Sequence, residues 1–141
     1  MLSTGDKGNM NIFAERDIKP LHFGRKVGAS TEGTETYDVA KDATLEKLEI
    51  RIYSGAEDTL RLNVYKRDQE TDSKRKIIDT PDDQEFIGGN EDFFEFRLTE
   101  SVTSDDEIIV EYENTDGSNP HRYKVNMELE RTGGVLSSLM R

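Results

Sequence analysis

The sequence predicts an all-β fold: a two-layer antiparallel β-sandwich of about eight strands with jelly-roll-like connections. Three observations carry that expectation. The stretches LEKLEIRIY, TLRLNVYKR, FFEFRL, EIIVEYE and RYKVNMELE alternate apolar and charged residues with the period of two of a half-buried strand. Turn signals separate the alternating stretches at the short, regular intervals of a sandwich or barrel. No amphipathic helical pattern longer than two turns competes with them.

Taken in order, residues 1–20 read as a flexible N-terminal arm, polar and carrying Gly5 and Gly8, with residues 12–18 forming one helical turn or a short extended contact. LHFGRKV is the expected first strand, with Leu21, Phe23 and Val27 inward and His22, Gly24 and Lys26 outward. Glu35 to Val39 follows, turning Tyr37 and Val39 inward. Leu48, Ile50 and Ile52 then face the core opposite Glu49, Arg51 and Tyr53. After SGAED, Leu60, Leu62 and Val64 face inward opposite Arg61, Asn63 and Tyr65. The two stretches and their five-residue link read as a hairpin.

Residues 67–75 are nearly all polar and read as an exposed loop or a splayed hairpin tip. Lys76 to Thr80 is a short expected strand, and Pro81–Asp82–Asp83 a turn. Phe94, Phe96 and Leu98 form the next inward row, then Ile108, Val110 and Tyr112. An Asp-Gly loop at 114–120 leads to Tyr123, Val125, Met127 and Leu129. The chain has neither Trp nor Cys, which removes the usual immunoglobulin core markers and favours jelly-roll order.

The expected organisation is a sandwich domain over 21–131 followed by a Gly133–Gly134 hinge and a tail, 132–141. In the tail Val135 and Leu139 are four apart, as are Leu136 and Met140, so one helical turn presents them together. Such a tail folds back on its own sandwich, frays, or docks into a neighbouring subunit.

Composition bounds the function classes. Leu, Ile, Val and Phe supply 32 of 141 residues, near the lower limit for a folded chain, so their periodic placement decides for folding. The net charge of −11 repels phosphate backbones and argues against nucleic-acid binding; it also suits a salty environment, although nine lysines are many for strong salt adaptation. No disulfide can form, the polar start MLSTGDKGNMN lacks the apolar core of a secretory signal, and no apolar run is long enough to span a bilayer. The expected setting is soluble, without signal peptide or membrane: cytoplasmic, or a virion if the protein is viral.

Catalytic chemistry has little to work with. His22 and His121 read as ordinary surface histidines, and no nucleophile-elbow, zincin or phosphate-loop motif occurs. Glu95, Glu111 and Glu113 project from strands as solvated carboxylates rather than as a glycosidase pair. Oxygen-rich loops at 79–85, 89–92, 103–107 and 114–119 offer calcium ligands without the EF-hand order, and turn chemistry explains them equally. No cofactor is expected, a structural calcium being the one candidate, and no enzymatic activity. Lys74–Arg75–Lys76 with Arg67 reads as a solvated loop tip or one half of a charge-complementary contact.

The alternating region from about Leu21 to Glu130, flanked by two arms, resembles small β-sandwich or jelly-roll accessory proteins of virus particles: capsid decoration, turret or tail components of tailed viruses. The resemblance implies a non-enzymatic structural protein, a homo-oligomer whose arms lace it to neighbours, with a major capsid or other assembly protein as partner. It is one of layout and transfers no residues. The alternative is a carbohydrate-binding or adhesion module, with Tyr53 and Tyr65 outward on one hairpin and Phe93 outward on another strand as an aromatic platform.

Overall fold

The computed structural model describes residues 17–80 and 85–131. Eight strands form: β1 (Ile18–Val27), β2 (Glu32–Asp38), β3 (Ala43–Ile52), β4 (Leu60–Arg67), β5 (Lys74–Lys76), β6 (Asp92–Val102), β7 (Glu107–Asn114) and β8 (His121–Arg131). They make two four-stranded sheets, ordered β1-β8-β3-β6 and β2-β7-β4-β5, with every pairing antiparallel. Only the β4–β5 link stays within one sheet; every other connection crosses between layers. This is the expected eight-stranded jelly-roll order.

Alternation sets which face is buried. Leu48, Ile50 and Ile52 of β3, Leu60, Leu62 and Val64 of β4, and Tyr123, Val125, Met127 and Leu129 of β8 meet in one core between the sheets. Leu45 and Leu48 are both buried although three apart, and a bulge between Leu45 and Lys47 restores the phase. Ile109 is buried as well as its neighbours Ile108 and Val110, so β7 is covered on both faces.

Four expectations change. First, β3 and β4 do not form a hairpin: they lie in different sheets, each flanked on both edges by other strands. Their link carries Gly55, Glu57 and Asp58 at φ 100°, 45° and 67°, and it buries Ala56 completely between the layers. An apolar plug of that kind belongs to a crossing between sheets, because a hairpin tip would leave it in water. Second, residues 18–20, read as arm, belong to β1. Pro20 is tolerated there because β1 is an edge strand. Third, β5 spans Lys74–Lys76, while Ile77 and Ile78 beyond it are buried.

Fourth, His121 is buried, 7% exposed, and its Nε2 lies 2.8 Å from Asp116 Oδ2. Asp116 organises the β7–β8 loop by also accepting the Ser118 and Asn119 backbone N–H groups. The Ser118 bond, followed by the His121 contact and Asn119, holds the Asp116 carboxyl at about 2. A carboxylate depressed in the folded state stabilises it above the unfolded value of about 3.9 and loses that effect as pH falls toward the folded value. The gap in urea midpoint between wild type and Asp116→Asn should therefore narrow as pH falls from about 4 to about 2. A gap that stays unchanged over that window would sink the assignment.

Loops gather at the two ends of the sandwich. At one end the Asn114 amide donates to Val27 O (3.2 Å), Gly28 O (3.1 Å) and Asn119 O (2.9 Å), and its Oδ1 accepts Asp116 N–H at 2.9 Å. At the other end buried Asp106 accepts Gln69 N–H at 3.1 Å, Thr103 N–H at 2.8 Å and the Thr103 hydroxyl at 3.0 Å. Burial alone would raise its carboxyl, but the backbone bonds from Thr103 and Gln69 outweigh it and the pKa is lowered.

Candidate functional site

Outward-facing residues of the first sheet assemble a cationic row at one end of its surface. Register places Gly24 beside Lys124, Lys124 beside Arg51 and Arg51 beside Phe93, with Lys26 beside Arg122 in the next row. Strands about 4.8 Å apart make this row roughly 14 Å long. Arg51 lies over two rings, 5.9 Å from the centroid of Tyr53 and 5.5 Å from that of Phe93. Phe93 is 50% exposed, the most exposed large apolar side chain among the described residues.

Most other cations on the body meet carboxylates, among them Arg25–Glu35, Lys47–Glu49, Lys66–Glu100, Arg67–Glu107, Lys74–Glu111 and Arg97–Glu95. Among the described residues Lys26, Arg51, Arg122 and Lys124 form no ion pair. Four unneutralised cations on one face of a chain of charge −11 form a local field of opposite sign to the whole molecule.

Beside the row lies a shallow groove of about 330 Å³, bordered by His22, Gly24, Arg122, Lys124 and Asn126. Gly24 is required here, since a Cβ would sit 2.9 Å from Tyr123 O. His22 Nδ1 and Asn126 Oδ1 are 2.7 Å apart and fix each other. Under the groove Glu35 closes the gap between the edge strands β1 and β2. Its Oε1 accepts the Tyr123 hydroxyl at 2.5 Å and Gly24 N–H at 3.0 Å, while Arg25 donates to Tyr112 Oη at 2.9 Å. Burial, reinforced by Glu35, pushes the Tyr123 phenol far above its ordinary value, so it stays a donor.

The opposite end of the body is acidic. Loop 68–73 brings Asp68, Glu70 and Asp72, and the neighbouring turns bring Asp42 and Asp105. Gln69 ties this loop to the next through Ser104 O at 2.7 Å and Asp106, and Ser104 N–H donates to Asp42 at 2.9 Å. Asp72 is 85% exposed, and Glu70 and Asp105 are exposed beside it.

Tyr53 and Phe93 come together around Arg51, whereas Tyr65 lies on the other sheet, so the expected platform of Tyr53 and Tyr65 on one hairpin does not form. Tyr65 sits under Lys74 Nζ (4.4 Å) and contacts Glu111 at 3.5 Å; burial, then Glu111, raises its phenol. It borders a groove of about 200 Å³ with Arg61, Asn63 and Phe86, in which buried Arg61 Nε and Asn63 Oδ1 have no partner among the described residues. The cluster Lys74–Lys76 is the strand β5, engaged by Glu111, Glu100 and Glu85 O. Glu95 lies on the first sheet and Glu111 and Glu113 on the second. Val135, Leu136, Leu139 and Met140 lie outside the described residues. Sequence reading missed the cationic row because its members come from β1, β3 and β8, and only strand register brings them together.

The sequence matches no protein-family model and no curated protein. Among solved structures the fold is similar to the carbohydrate-binding module CBM32-1 from a family 31 glycoside hydrolase of Clostridium perfringens, at 10% identity over 82% of this chain and 94% of that one, TM-score 0.40. It is also similar to a chain of the infectious bursal disease virus Gx strain, at 12% identity over 85% of this chain and 34% of that one, TM-score 0.37. A third likeness is to the Drosophila NLP core, at 19% identity over 76% and 96%, TM-score 0.34. Likenesses of this degree carry nothing about function.

Proposed function

We propose that the protein is a non-enzymatic structural subunit of a symmetric assembly, held to neighbours by the segments that flank its sandwich. The carrying observation is where those segments leave the body. Arg131 N–H donates to Asp17 O at 2.8 Å, and the two side chains approach to 3.9 Å. Asp17 and Arg131, the described residues that adjoin the two flanking segments, therefore lie side by side at one end of the first sheet. Two segments leaving together from a rigid sandwich suit lacing to adjacent copies or to a larger assembly protein. Jelly rolls recur in capsid domains, and a capsid-associated or decoration subunit of a virion is the specific form this reading takes.

Light scattering in about 1 M salt, where surface charge contacts are screened to about 3 Å, tests the reading. The full chain should be a closed oligomer and a chain of residues 17–131 a monomer. A monomeric full chain would overturn it.

A further inference from the structure

We infer that the cationic row on the first sheet is a docking surface for a second copy of this chain, seated through its acidic loop end. This deepens the assembly reading above by naming a contact that operates beside the terminal segments. Charge complementarity identifies the occupant. Lys26, Arg51, Arg122 and Lys124 lack ion pairs within their own body, and the 68–73 loop with Asp105 presents the opposite charge at the other end of the same molecule. Asp72 approaches Arg67 at 3.9 Å, but the row at the other end has no carboxylate partner among the described residues, and it is satisfied when one copy presents its loop end to the next.

The two surfaces differ, so the contact is heterologous and repeats head to tail, closing into a ring or running on as a filament. Both surfaces are preorganised. Arg51 is braced between Tyr53 and Phe93, and the loop end is tied by Gln69, Ser104 and Asp106. Half-exposed Phe93 supplies an apolar anchor within the charged row. Glu49 and Glu95, in the adjoining row of the same face, repel an acidic loop displaced along the strands and so fix its position. Overall repulsion between two chains of charge −11 is long-ranged and screened beyond about 10 Å at 0.1 M salt, while the close contact survives there.

Sedimentation velocity on the full chain tests this. At about 0.1 M salt wild type should form species larger than its high-salt oligomer, and these should dissolve at about 1 M. Arg51→Glu with Lys124→Glu should weaken this association at least about tenfold, and Glu70→Lys with Asp72→Lys should do the same. Mixing the two variants should restore it, which shows that each still folds. Reversal variants that associate like wild type, or a mixture that does not recover, would overturn the contact while leaving the assembly reading intact. A full chain monomeric at both salt levels would sink both. Charge-dependent association at low salt from a chain monomeric at high salt would keep this contact and remove the role of the terminal segments. Binding of a heparin oligosaccharide to the row, with self-association indifferent to the reversals, would reassign the face to a sulfated glycan and overturn the proposal.

Discussion

Leu48→Ala should destabilise the protein by about 3–4 kcal/mol, read as a fall in urea midpoint at unchanged slope. Leu48 is fully buried on β3, an inner strand, with Met127 and Phe96 beside it in the register. Truncation loses the transfer energy of the removed methyl groups and leaves a cavity whose walls belong to two other strands. Met127 is the flexible neighbour able to collapse into that space, which holds the cost below the top of the range for such substitutions. A domain of this size has a total stability of about 5–15 kcal/mol, so one methyl cluster accounts for a large share. Phe93→Ala, by contrast, should cost little, because that ring is half exposed on the outer face. Equal losses from both substitutions would contradict the assigned faces of the first sheet.

Asn114→Asp should cost about 3–5 kcal/mol at neutral pH. The carboxamide is 1% exposed, and its nitrogen is the convergence point for three carbonyl oxygens. An oxygen in that place meets Val27 O, Gly28 O and Asn119 O with no hydrogen to share, and a buried negative charge is added. Burial beside carbonyl oxygens raises the pKa of the introduced carboxyl in the folded state. Its penalty therefore grows as pH rises from about 4, because the unfolded chain ionises first. Urea midpoints measured from pH 4 to 8 should show the variant falling away from wild type with rising pH. A pH-independent deficit would show that lost hydrogen bonds, and not charge, dominate.

Strands were legible where side-chain alternation reports a single buried face. The inward sets of β3, β4, β7 and β8 follow directly from positions 48–52, 60–64, 108–112 and 123–129. Pairing was not legible in the same way. The Ser54–Asp58 link fits a hairpin by length, and alternation does not distinguish a strand beside its predecessor from one across the core. Ala56, an apolar residue amid turn chemistry, was the local sign of a crossing. The bulge at Leu45–Lys47 was visible as two leucines three apart in an alternating run. His121 escaped because its burial depends on Asp116, five residues earlier, folding back over it. The cationic row depends on register between strands up to about a hundred residues apart in the chain, and composition dilutes it in a net charge of −11.

A carboxylate bridges the two layers on each long flank of the sandwich. On the β1–β2 side Glu35 stitches the layers with bonds to Tyr123 and Gly24. On the β5–β6 side, Phe94, Phe96 and Leu98 are only half buried against a facing strand of three residues. On that flank Glu100 of β6 meets Arg75 of β5 and Lys66 of β4, so the layers are held together there as well. A neighbour that settles over those half-buried side chains binds the folded form and not the unfolded one. Occupancy there lengthens the lifetime of the whole fold by mass action, so a neighbour on that flank would act as a latch for the entire molecule.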